Sequence, residues 1–246
     1  MTRHHALSAV EVDGASKHFR LRHTHSLKER LVWTVQGRNR TDDFTALHPL
    51  DLTITQGESV ALLGRNGSGK STLLKLMAGV MAPDTGEVRV RGRLAGLLEV
   101  GAGFHPDLTG RENVHLNASI LGLERETIEE RFDDIAAFAD IGPFLDTQVR
   151  FYSSGMFLRL AFAVAVHTEP DVFLVDEILA VGDEAFRAKC LERIELLAAQ
   201  GRTLVVVSHD LPLVERLCSR GIVLEHGHAV ADGPVSTAVH RMRAAG

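Results

Sequence analysis

Short runs of apolar residues alternate along the chain with longer stretches in which apolar residues return every third or fourth position. A short apolar run bounded by turn residues reads as a buried strand, and the longer spacing reads as a helix with one buried face. Strands are expected at Ala9 to Val12, Ser59 to Leu63, Glu87 to Arg91, Leu94 to Leu98, Val172 to Val175, Thr203 to Val207 and Gly221 to Glu225, with Ser16 to Phe19 following the first. Leu73, Leu74, Met77 and Val80 carry helical spacing until Pro83, which is expected to stop that helix. Thr109-Gly110-Arg111-Glu112 has capping-box spacing, so a helix opens at Gly110 and runs through Leu116 and Ile120. Ile128, Phe132, Ile135 and Ala139 mark the next helix. Phe157 to Val166 is apolar nearly all round apart from Arg159, which predicts a buried helix, and a last helix is read over Val235 to Arg243. Strands alternating with helices argue for an α/β fold with a mainly parallel sheet covered on its faces. The helices over 106–167 read as an insertion between two parts of one core, 1–105 and 168–246, so that 1–246 forms a single domain.

The chemistry starts at Gly64-Arg65-Asn66-Gly67-Ser68-Gly69-Lys70-Ser71-Thr72, which fits G-x-x-x-x-G-K-[ST] between a strand and a helix. Glycines let backbone N–H groups close around a phosphate, and the helix N-terminus adds partial positive charge. Lys70 is expected to reach the outer phosphates, and the Ser71 hydroxyl is expected on Mg²⁺. A glycine-rich turn without a ligand is the bland alternative. The flanking strand and helix argue against it, and the site is expected to bind a nucleoside triphosphate.

A second site is read at the end of the strand Val172 to Val175, where Asp176 and Glu177 emerge at the edge at which α/β sheets bind ligands. Asp176 suits the ordering of Mg²⁺, and Glu177 can orient or deprotonate an attacking water. Acidic residues also end strands merely by facing solvent. Combined with the phosphate loop, the pair implies hydrolysis.

Composition narrows the classes. With 45% hydrophobic and 24% charged residues the chain is an ordinary globular sequence, and a net charge of -5 gives no general pull toward nucleic acid. Cys190 and Cys218 stand far apart without metal spacing, so a reduced, cytosolic setting is expected. Met1-Thr2-Arg3-His4-His5 leads into a short strand, so no signal peptide is expected, and Leu160 to Val166 is too short an apolar run to span a bilayer. Residues 20–44 form a basic insertion carrying Arg20, Arg22, Lys28, Arg30, Arg38 and Arg40, with Leu27, Leu31 and Val35 at helical spacing and Trp33 nearby. Such a piece lies on a membrane surface, docks on a partner, or is a solvated charged loop.

Together these residues resemble the ATP-binding subunit of an ABC transporter over nearly the whole chain. Gly64 to Thr72 matches the Walker A loop, Val172 to Glu177 the Walker B strand, and Tyr152-Ser153-Ser154-Gly155-Met156 the place of the signature. His209 matches the switch histidine, and Asp183 resembles the loop that crosses between subunits. Phe19 takes the place of the aromatic that stacks on adenine, with Phe44 a possible substitute. The resemblance implies the ABC ATPase fold: a RecA-like, mainly parallel P-loop NTPase sheet, an N-terminal antiparallel β portion and an inserted α-helical subdomain. It implies ATP and Mg²⁺ as ligands and a head-to-tail homodimer. In that dimer Ser153, Ser154 and Gly155, at the start of a helix, face the γ-phosphate held by the partner.

The signature departs from the common Leu-Ser-Gly-Gly-Gln, and Glu99 stands where most of these ATPases carry the glutamine that senses Mg²⁺ and the membrane subunit. These differences, with Gly101 to Pro106 and Leu179 to Asp183, are similar to the subfamily that exports lipid-linked polysaccharides: O-antigen, teichoic acid and cell-wall galactan. The resemblance then implies an ATPase at the cytoplasmic face of the membrane, bound to an integral membrane permease on a separate chain. Its cargo would be a lipid-linked polysaccharide, and nucleic acid is not expected as a partner. Some such exporters add a carbohydrate-binding β-sandwich. The present sequence stops at Gly246, which gives the expectation that cap recognition is not its task. Other readings are the ATPase of an importer or drug exporter, and a soluble ABC ATPase of translation or DNA repair. The soluble class usually carries paired cassettes or coiled-coil arms, which are not read here.

Overall fold

The computed structural model describes residues 7–21, 42–96, 101, 103–176 and 183–244. Two sheets organise it. Strands β1 (Ser8–Leu21) and β2 (Asp42–Thr55) pair antiparallel, and β4 (Thr85–Val90) joins the free side of β1, giving the order β2-β1-β4. The second sheet contains β3 (Ser59–Leu63), β5 (Leu94–Gly96), β6 (Val172–Val175), β7 (Thr203–Val207), β8 (Arg220–Glu225) and β9 (His228–Pro234) in the order β5-β6-β7-β3-β8-β9. Its neighbours are parallel except for the terminal β8–β9 pair. The antiparallel β portion alongside a mainly parallel sheet is the arrangement expected from the sequence.

Strand side chains point alternately to opposite faces, so a fully apolar strand must be covered twice. Val60, Leu62, Val172, Leu174, Val205 and Val207 pack on one face with Val10, Val12, Leu52 and Ile54 of the antiparallel sheet. Ala61, Leu63, Phe173, Val175, Leu204 and Val206 pack on the other with Ile135, Leu160 and Ile194. Covering the first face are also Leu73, Leu74, Leu76 and Met77 of helix α1 (Lys70–Met77). Covering the second are α2 (Gly110–Ile120), α3 (Arg125–Ala139), α4 (Ser154–His167) and α5 (Glu184–Ala199). Short helices α6 (Leu211–Leu217) and α7 (Val235–Ala244) complete the chain.

Several local expectations hold. Thr109 and Glu112 form the reciprocal capping box at the start of α2. Helix α4 is buried from Leu160 to Val166, whereas Phe157, Leu158 and Arg159 in its first turns are half-buried. Helix α1 ends sooner than Pro83 suggests. Gly79 adopts φ 70° and donates to the Leu76 carbonyl while Val80 donates to that of Lys75, a Schellman closure that turns Val80 out to solvent. The ends of the basic insertion read at 20–44 are strand: Phe19 pairs with Phe44 and Arg20 with Asp43 across β1 and β2. Its middle, 22–41, lies outside the described residues. Among the described residues no helix is long and apolar enough to cross a membrane.

Leu160 is fully buried between the sheet and the helices over it. Leu160→Ala is expected to lower unfolding free energy by about 2–5 kcal/mol in urea denaturation. A change under about 1 kcal/mol would mean that α4 is not an integral layer of the core.

Candidate functional site

Because β3, β7 and β6 are adjacent and parallel, the residues that follow them leave the sheet at one edge. The loop Gly64 to Gly69 follows β3, Ser208-His209 follows β7, and Asp176 follows β6. One strand separates the loop from Asp176, about 10 Å at ordinary strand spacing. His209 emerges between them and is exposed, while Asp176 is half-buried. The sheet order therefore gathers groups from three distant parts of the sequence.

The loop has little freedom. A Cβ on Gly64 would sit 2.3 Å from the Leu224 carbonyl oxygen, and one on Gly69 would sit 2.7 Å from that of Ala46. Gly67 and Gly69 take φ values of 79° and 107°, the left-handed side that favours glycine. The Gly227 N–H donates to the Ser68 carbonyl at 3.0 Å, and the His48 N–H donates to the Gly227 carbonyl at 3.0 Å. The His48 and His228 rings stack with centroids 3.8 Å apart beside this clasp. Lys70 is 7% exposed, and its ammonium donates to the carbonyls of Gly64 at 2.7 Å and Arg65 at 3.1 Å. Sequence reading missed the supporting turn His226-Gly227, although a glycine between two short apolar runs is a turn signal.

The donor set fits a phosphate chain. No side chain caps the N-terminus of α1, which starts after Gly69, so its first N–H groups and the positive end of its dipole face the loop. The Ser68 hydroxyl is buried without a hydrogen-bond partner. It lies against the backbone of Gly64, where a Cβ would come 2.5 Å from its Oγ, so it packs the loop from behind. Arg65, Asn66, Gly67 and Ser71 are exposed around it and Thr72 is half-buried.

The other expected residues lie on different elements. Ser153 is the N-cap of α4, where its Oγ accepts from the Met156 N–H at 3.2 Å, and Ser154 and Gly155 form the first turn. Tyr152 anchors this turn by donating to the Phe144 carbonyl at 2.7 Å, and burial pushes its phenol up to about 12. Asp183 is the N-cap of α5 and accepts from the Phe186 N–H at 2.8 Å, and Arg159 donates to its second oxygen at 2.6 Å. The Phe186 N–H and Arg159 together hold the Asp183 carboxyl below the usual carboxylate range. The signature turn and Asp183 are thus held at helix starts that Arg159 links to each other. Phe19 is half-buried and Phe44 exposed, and as a direct cross-strand pair they share one face at the end of the β1–β2 ladder. Glu99 and Glu177 lie outside the described residues. Among those described, no group of three or more His, Cys, Asp or Glu could hold a metal.

Fold and loop together define a P-loop α/β protein. Residues 47–180 match the family model described as ABC transporter, and the chain belongs to that family. It is 44% identical to the O-antigen export system ATP-binding protein RfbB of Myxococcus xanthus, an alignment covering 98% of this chain and 56% of that one. A protein of the same description from Klebsiella pneumoniae is 48% identical, with 74% of each chain covered. The teichoic acids export ATP-binding protein TagH of Levilactobacillus brevis is 38% identical, covering 95% of this chain and 64% of that one. The chain therefore spans little more than half the length of the Myxococcus relative. In fold it is similar to an ATP-binding subunit of an ABC transporter, with a TM-score of 0.75 at 23% identity and coverage of 96% and 94%. It is also similar to the ATP-binding cassette MJ0796, a dimer bound to ADP and Pi, with a TM-score of 0.72 at 22% identity and coverage of 92% and 98%.

Lys70→Ala is expected to weaken ATP binding by about tenfold or more, because it removes the ammonium that the loop holds at the phosphate position. An unchanged ATP dissociation constant in a calorimetric titration would contradict this placement.

Proposed function

We propose that the chain is the ATP-hydrolysing subunit of an ABC exporter that powers movement of a lipid-linked polysaccharide across the cytoplasmic membrane. The observation that carries the reading is the convergence of the phosphate loop, Asp176 and His209 at one sheet edge. The names of the O-antigen and teichoic acid relatives support the cargo class.

In this reading the backbone N–H groups of Gly67 and of Gly69 to Thr72 cradle the phosphates of ATP, and the Lys70 ammonium reaches the outer ones. Lys70 exchanges its carbonyl partners for phosphate oxygens, a stronger charge-assisted bond. The Ser71 hydroxyl and the Asp176 carboxylate would hold Mg²⁺ beside the phosphate oxygens, with Glu99 close to it. The ion, when bound, neutralises charge that builds up on the transferred phosphoryl group. Glu177 takes a proton from the attacking water, and His209 hydrogen-bonds the γ-phosphate. Phe19 stacks on the adenine. Two copies lie head to tail, and Ser153, Ser154 and Gly155 of one reach the phosphate held by the other, with Asp183 at the crossing. The helical segment 106–167 moves with the signature, and a permease on a separate chain, docked at the cytoplasmic face, takes up the motion.

Glu177→Gln is expected to keep ATP affinity within about twofold and to lower steady-state turnover by about a hundredfold or more, as loss of a general base does. Undiminished hydrolysis would overturn the assignment. The tagged chain, drawn from detergent-solubilised membranes, is expected to bring with it a multispanning membrane protein whose presence raises its ATPase rate. Copurification with ribosomes or DNA instead would favour a soluble ATPase.

A further inference from the structure

Arg159 is the one charged residue between Gly155 and Val166, and it lies a single helical turn beyond the signature glycine. Its side chain is only 19% exposed. Other cations at this junction close helix C-termini. Lys189 of α5 donates to the carbonyls of Ala137 and Phe138, and Arg131 of α3 donates to that of His167. Arg159 also touches a helix end, with Nη1 3.4 Å from the Asp140 carbonyl oxygen and 3.6 Å from its carboxylate. Unlike the others it reaches onward to a helix N-terminus, where Nη2 lies 2.6 Å from Asp183 Oδ2. The guanidinium sits 4.8 Å from the centroid of the Phe186 ring, which is itself buried against Phe138 and Phe162.

One carboxylate is thereby shared. Asp183 Oδ1 holds the first turn of α5, and Oδ2 holds the helix that begins with the signature. An ion pair to a largely exposed carboxylate contributes little to stability by itself. A planar guanidinium fixed by an aromatic face and by partners on two sides does restrict orientation. The contact joins the two chain segments assigned above to the opposing protomer's nucleotide.

We propose that Arg159 is a positioning residue that makes the signature turn Ser153 to Gly155 and Asp183 move as one unit. This rests on the ATPase reading above. Its loss leaves the phosphate loop intact but lets the two trans-acting segments approach a partner's nucleotide independently.

The test uses the full chain with Arg159→Gln, Asp183→Asn, the double variant and Arg159→Lys. Asparagine keeps the N-cap of α5 while removing the charge. Arg159→Gln is expected to lower kcat about tenfold with ATP affinity unchanged, and the double variant to lose no more than the worse single one, since coupled residues are non-additive. Arg159→Lys should recover part of the loss. Multiplying losses, an equal fall in affinity and kcat, or no loss at all would each overturn the proposal. A second readout does not need turnover: hydrogen exchange at the Phe186 amide should quicken in Arg159→Gln together with that at Met156 and Phe157. Unchanged exchange at Phe186 overturns the link whatever the kinetics. A wild-type chain that fails to hydrolyse ATP refutes the ATPase reading instead and leaves the exchange result to decide the link.

Discussion

The clasp on the phosphate loop is the constraint from which the rest of the site follows. A loop that turns its N–H groups inward toward an anion leaves its carbonyls pointing elsewhere, and those carbonyls need partners of their own. Here the Gly227 N–H serves the Ser68 carbonyl and the Ser68 N–H serves that of Arg65, while Lys70 holds the carbonyls of Gly64 and Arg65 until an anion takes its ammonium. The close backbone approaches at Gly64 and Gly69 leave room for no side chain, so the loop is pressed between the β8–β9 turn and β2. The antiparallel sheet supports the loop by supplying Ala46, Leu47 and His48 to this contact.

Sheet order does the rest of the assembly. Inserting β7 between β6 and β3 sends three separate chain segments out of one edge, with His209 flanked by the loop and by Asp176. The signature turn follows a different logic. It is capped by Ser153, anchored through Tyr152, and joined to the start of α5 by Arg159 and Asp183. A hydroxyl already used as a helix cap still presents its exposed side, and Ser153 and Ser154 are both exposed. In the proposed function this half-site receives a ligand held by a second copy of the chain.

Local chemistry was the part most readable from sequence. The strands β6 and β7 were expected at the residues where they occur, because buried parallel strands are continuous apolar runs. The capping box at Thr109 and the helix N-cap at Ser153 depend on residues close in sequence, and both are present. The sequence reading contains no strand at β2, although Leu50, Leu52 and Ile54 are buried in alternation with exposed Pro49, Asp51 and Thr53. Pro49 and the basic stretch before it obscured that period. Strand β9 was hidden for another reason: it is an edge strand held by its ladder to β8, and its side chains are mostly exposed. The support of Ser68 by Gly227 and the link from Arg159 to Asp183 depend on tertiary register, which no local pattern encodes.

The central claim is that the N–H groups of the phosphate loop and the Lys70 ammonium are set to receive a triphosphate, and the proposed function adds that a second protomer completes the site. A structure of the chain determined with a slowly cleaved ATP analogue and Mg²⁺ tests this most directly. The account predicts phosphate oxygens within hydrogen-bond distance of Lys70 Nζ and of the Gly69 and Ser71 N–H groups, with Ser153 of a second protomer on the γ-phosphate. Analogue bound elsewhere, with Lys70 still on the Gly64 and Arg65 carbonyls and the signature turn facing solvent, would contradict it.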